Sequence, residues 1–148
     1  MVGVDRDAHV FKVAQDLAEE RHLTTVCYVQ ADLLADDFSA IGRFDTVTAL
    51  HVLEHFSEPE MYRVLANLLT VTGHRLIVVV PYKEGEPSPA YDHKQLFSQA
   101  RLEEVGAWCI KQLQGAARMW DEGITPSGGL LLIAPYSNAS YRANVPVC

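Results

Sequence analysis

Residues 75–80 read RLIVVV and run straight into Pro81. An unbroken apolar run of that length suits a strand covered on both faces, since a strand with one wet face alternates apolar and polar side chains. Such cover comes from helices packed on a sheet, so this one run points to an α/β layer structure. Phe44–Leu50 (FDTVTAL), nearly all apolar after Asp45, and Thr25–Gln30 (TVCYVQ), β-branched and aromatic, read as further strands. The chain opens on a half-strand, Val2-Gly3-Val4-Asp5.

Helical spacing fills the intervals. Val10, Val13, Ala14, Leu17 and Ala18 recur on one face from Asp7 to about His22. Ser57-Glu58-Pro59-Glu60 forms a capping box, continued by Met61, Val64, Leu65, Leu68 and Leu69 and closed by Gly73. A shorter helix is expected over Leu96–Val105, with Ser98 as a cap and Gly106 as its end, then two strands, Ala107–Leu113 and Leu130–Ala134. A long loop through Arg118, Trp120 and Pro126 would join them, and they would pair antiparallel at the sheet edge. The expected fold is therefore α/β, a mostly parallel sheet with helices on both faces and an antiparallel C-terminal pair.

With 148 residues there is room for one domain, read here as 1–135, followed by an aperiodic tail, 136–148. The formal charge of −7, with no basic run, argues against a nucleic-acid partner. The apolar runs are strand-sized, so no membrane span is expected. Three widely spaced cysteines, Cys27, Cys109 and Cys148, suggest reduced thiols and a cytoplasmic protein.

In an open parallel sheet, ligands sit beyond the carboxyl ends of the strands, which directs attention to Asp5, Asp32, His51 and Tyr82. A strand-end Asp often only caps the turn that follows it. Two in succession suit a ligand with hydroxyls and an exocyclic amine, such as an adenosine. His51-Val52-Leu53-Glu54-His55 raises a metal instead, because H-x-x-E-H on a helix binds zinc. That motif needs helix on both sides and a third ligand downstream. Here a strand enters His51 and a new helix is capped at Ser57, and Glu84, Glu86 and Glu103 have no distinguishing context. No metal is expected, and a zinc hydrolase ranks third among the readings.

Taken in order, these segments resemble the class I S-adenosylmethionine-dependent methyltransferases, in particular the small-molecule enzymes with Leu-Glu-His after the fourth strand. The resemblance spans about residues 2–135. It implies that Asp5 holds the ribose hydroxyls, Arg6 packs on the adenine, Asp32 takes the adenine amino group and Leu33 offers its backbone N–H to the ring. It also implies that Leu50 and His51 lie under the methionine moiety. His93 with Phe97-Ser98 resembles the family's His-x-x-x-Phe-Ser/Thr pattern. The implied activity is methyl transfer to an oxygen or nitrogen of a small-molecule acceptor, with S-adenosylmethionine as cofactor and His51, His55 or His93 as proton acceptor, since imidazole titrates near neutrality. Glu54 is expected to tether the loop, and Tyr82, Tyr91, Arg118 and Trp120 to line the acceptor side.

One departure stands out. The family's first, central strand and its Gly-x-Gly-x-Gly loop do not precede Val2, and Gly3, Gly42 and Gly73 do not replace them. The expectation is an N-terminally truncated domain or a start placed at the wrong Met, with edges exposed on two strands. The rival expectation is an inactive fragment or interaction module of the same fold.

Overall fold

The computed structural model describes residues 1–35, 37–82, 91–113, 115–122 and 127–133. Among these residues, six strands and three α-helices follow in the order β1 (Val2–Asp5), α1 (Ala8–Glu20), β2 (Cys27–Gln30), β3 (Phe44–Leu50), α2 (Glu58–Val71), β4 (Thr72–Pro81), α3 (Gln99–Leu113), β5 (Ala116–Glu122) and β6 (Ser127–Ile133). The mixed α/β architecture read from the sequence is the one found. The strands form two hydrogen-bonded sheets, a parallel pair β1-β2 and a four-stranded sheet in the order β3-β4-β6-β5. Within the larger sheet β3 and β4 are parallel, while β6 is antiparallel to both β4 and β5. Strands β1 and β3 are thus each paired along one edge only among the described residues.

The core lies between the four-stranded sheet and the helices α2 and α3. Leu76, Val78 and Val80 of β4 alternate onto that side and are fully buried, as are Leu130 and Leu132 of β6. Met61, Val64 and Leu65 of α2 and Leu102, Val105 and Cys109 of α3 meet them. Burial pushes the Cys109 thiol up to about 12. Cys109 is a free, buried thiol. No described helix is long and apolar enough to cross a membrane.

The C-terminal half corrects the sequence reading. Ala107–Leu113 is the second half of α3, not a strand. Leu102, Val105, Gly106 and Cys109 are buried at helical spacing, and burial of that stripe outweighs the roughly 1 kcal/mol that an interior glycine costs a helix. The strand lies further on, at Ala116–Glu122, where a loop was expected. It pairs with β6 from Ala116↔Ile133 to Glu122↔Ser127, so the connection is short. Ser98 caps α3 as expected, its hydroxyl accepting from the Arg101 N–H at 3.2 Å. Gly73 lies inside β4, because α2 passes directly into that strand after Val71. The expected tail, 136–148, and the loop segment 83–90 lie outside the described residues.

Candidate active site

Asp5 is the last residue of β1, in register with Gln30 of β2. Its Oδ1 accepts the Asp7 N–H at 2.9 Å, and its carbonyl accepts the Ala31 N–H at 3.0 Å. Asp32, just past β2, repeats the arrangement, Oδ1 accepting the Leu34 N–H at 2.8 Å. Each carboxylate therefore spends one oxygen on its own turn. The second oxygen of each has no bonded partner among the described residues, so turn-capping and ligand-binding readings are compatible. Gln30 Nε2 donates to the Arg6 carbonyl at 3.0 Å and ties the two strand ends together.

At the end of β3, the His51 N–H reaches the Val79 carbonyl at 2.8 Å, and His51 then turns the chain through φ 52°. Leu53–His55 follows as a single 3-10 turn that buries Leu53 and Glu54. The H-x-x-E-H string is thus a strand-to-helix connection, and the α-helical setting that a zinc hydrolase motif requires is absent from it. Ser57 begins α2, its backbone N–H and hydroxyl donating to Glu60 Oε2 at 2.8 Å and 2.6 Å. These bonds hold the Glu60 carboxyl below the usual carboxylate range.

A second segment is strapped across this turn. The Lys94 N–H donates to the Glu54 carbonyl at 2.7 Å, and Gln95 Nε2 to the Phe56 carbonyl at 2.6 Å. His93 is thereby set edge-on to His55, with ring centroids 5.1 Å apart. His55 Nδ1 stands 3.3 Å from the Asp92 carbonyl, and His51 Nδ1 stands 3.5 Å from Glu54 Oε1.

The ends of β1, β2 and β3 open onto one cleft of about 380 Å³. Asp5, Arg6, Asp32, Leu33, His51 and His55, all singled out from sequence, line it. Leu50, expected beside the cofactor, does not, because side chains alternate along β3 and Leu50 is 55% exposed on the side opposite buried Ala49. His93 is not among the residues that line it, although its chain neighbours Asp92 and Lys94 are. Glu60, Asp92 and Lys94 were missed as cleft residues. Glu60 was visible only as a cap, and no pattern marked Asp92 or Lys94 beyond their place beside His93. Tyr82 is buried and Tyr91 is exposed. The side chains of Arg118 and Trp120 lie outside the described residues.

With this cleft in view, the family is decided by residues 1–74, which match a methyltransferase domain. The chain belongs to the methyltransferase domain family. Solved structures agree on the fold. The methyltransferase domain of bacterial CtHen1 superposes with a TM-score of 0.69 at 18% identity, covering 89% of this chain and 76% of that one. Magnesium protoporphyrin IX methyltransferase from Synechocystis PCC 6803, with SAH bound, gives 0.67 at 20% identity over 90% of this chain and 64% of that one. An O-methyltransferase family protein from Burkholderia thailandensis gives 0.70 at 15% identity over 90% and 43%. Against the last two, this methyltransferase spans less than two thirds of the other chain's length. No curated protein matches it.

Proposed function

We propose that this methyltransferase carries a methyl group from S-adenosylmethionine to an oxygen or nitrogen of a small-molecule acceptor. The observation that carries the reading is the convergence of Asp5, Asp32, His51 and His55, from three strand ends, on one cleft. The spare carboxylate oxygens of Asp5 and Asp32 suit the ribose diol and the adenine amino group of the cofactor, with Arg6 and Leu33 beside the ring. The Synechocystis enzyme, whose fold is similar, binds SAM and SAH, which supports the same cofactor here.

When bound, S-adenosylmethionine supplies an electrophilic methyl carbon on a sulfonium. The acceptor's lone pair forms the new bond to that carbon as the carbon–sulfur bond breaks, and the electron pair stays on sulfur. What this chain adds is alignment and a place for the acceptor's proton. His51 is assigned that proton, since of the two cleft histidines it is the one that directly follows β3, with its Nδ1 3.5 Å from Glu54 Oε1. Solved structures named as Hen1 RNA methyltransferases share the fold, but a formal charge of −7 and a cleft lined by Asp5, Asp32, Glu60 and Asp92 favour an acceptor without a phosphate backbone.

Calorimetric titration of S-adenosylhomocysteine into the purified chain tests the reading, with Asp5→Ala and Asp32→Ala as controls. Saturable binding weakened by both substitutions is expected. A folded chain that binds nothing would overturn the enzyme and leave an interaction module of methyltransferase fold.

A further inference from the structure

Glu54 is 0% exposed, yet neither carboxylate oxygen has a hydrogen-bond partner among the described residues. An ionised carboxylate left so in a protein interior costs on the order of several kcal/mol, and such groups are retained where they are paired or hold a metal. His51 Nδ1, at 3.5 Å from Oε1, is longer than a hydrogen bond of this kind and is itself half exposed. Two further imidazoles lie near the same carboxylate. One ligand atom each from Glu54, His55 and His93 lies within 4.8 Å of the others.

We infer that Glu54, His55 and His93 bind one divalent first-row transition-metal ion beside the cleft. A carbonyl oxygen only accepts, so the contact from His55 Nδ1 to the Asp92 carbonyl fixes Nδ1 as the N–H nitrogen and leaves Nε2 with the lone pair. The bond from the Lys94 N–H to the Glu54 carbonyl fixes the distance between the two contributing segments. Two imidazole nitrogens and one carboxylate oxygen match zinc, iron or cobalt rather than Mg²⁺ or Ca²⁺, which prefer oxygen ligands. Three protein ligands leave coordination positions open. In the sequence, Glu84, Glu86 and Glu103 offered no distinctive third ligand; the fold supplies His93 instead. An ion there would polarise an acceptor hydroxyl in the cleft and ease loss of its proton to His51. That role rests on the methyl-transfer reading, whereas the site itself does not.

Titration of Co²⁺ into the purified full chain, followed by visible d–d absorption, tests the site. One equivalent is expected to produce saturable bands that Zn²⁺ displaces and millimolar Mg²⁺ does not. Either His55→Ala or His93→Ala should weaken Co²⁺ binding by at least about tenfold, with circular dichroism confirming the fold, and His9→Ala should leave it unchanged. No bands from a folded chain, equal affinity in both site variants, or ready displacement by Mg²⁺ would each overturn the inference. Titration of S-adenosylhomocysteine alongside separates the two conclusions. A chain that binds it and ignores Co²⁺ loses the metal site alone, and a chain that binds Co²⁺ and ignores it loses the methyl-transfer reading alone.

Discussion

His51, His22 and Asp92 are the non-glycine residues that adopt positive φ among those described, and His51 and Asp92 both line the cleft. A side chain held in the left-handed region costs about 1–3 kcal/mol and survives where the surroundings dictate it. Here the His51 N–H is pinned to Val79, and the buried Leu53–His55 turn must start immediately. The strain aims the imidazole away from the line of β3 and towards the cleft. His51→Ala should therefore lower kcat about 10²- to 10⁴-fold, the usual share of a general base, while S-adenosylhomocysteine affinity changes only a few-fold. Single-turnover kinetics and calorimetry on the same sample check this, and an unchanged methyl-transfer rate would remove His51 as the proton acceptor. The residue type and its position after a strand were legible in the sequence. Its backbone conformation was not, because nothing in a string of histidine, valine and leucine marks φ.

Elements were legible wherever local chemistry governs them. The Ser57–Glu60 box set the start of α2, and its geometry makes a prediction about acid. Glu60 titrates below the usual carboxylate range in the folded chain, held first by the Ser57 hydroxyl and then by the Ser57 N–H. A depressed folded value means that the stabilisation is complete above the ordinary carboxylate range and is lost as pH falls through it to the folded value. Urea unfolding from neutral pH down to about pH 3 should thus show a stability loss that Glu60→Gln makes shallower at its acid end; an identical slope in the variant would show that the box carries no proton linkage. Legibility failed where distant packing governs. A glycine at 106 and an unbroken apolar run through 107–110 looked like a helix end and a strand, and only the far side of the core, which buries Leu102, Val105 and Cys109 together, makes them one helix. Gly128 in β6 belongs to the same contact. A Cβ there would stand 2.8 Å from Tyr82 Cδ2 and 2.9 Å from Leu102 Cδ1. Overpacking of this kind costs about 1–3 kcal/mol, so Gly128→Ala should lower the urea midpoint without changing the slope m. A midpoint equal to that of the parent chain would mean that Tyr82 and Leu102 yield freely.

At the scale of the whole molecule, the division of the strands decides which parts are firmly held. The four-stranded sheet encloses the fully buried leucines and valines, whereas β1-α1-β2 contributes Ala18 to the buried set and leaves Val10, Val13 and Leu17 of α1 exposed. The segment after β2 is tied to α2 by Asn67, whose Nδ2 donates to the carbonyls of Leu33 and Ala35 at 2.8 Å and 2.9 Å. The mixed α/β order and the strand-end cleft were readable from sequence because each depends on runs of neighbouring residues. The Asn67 clamp was not, since it joins positions more than 30 apart by a side chain with no periodic signature. Backbone groups in a region with few buried contacts open at low free energy, so amide hydrogens of β1 and β2 should exchange faster than those of β4 and β6. Asn67→Ala leaves two carbonyls to water and frees residues 31–35, on which Asp32 and Leu33 are carried. Exchange at 31–35 should then rise and S-adenosylhomocysteine affinity fall several-fold, with β4 and β6 still protected. Uniform protection across both sheets in the parent chain would instead make the molecule one cooperative unit, and the cofactor half of the cleft would be as rigid as the core behind His51.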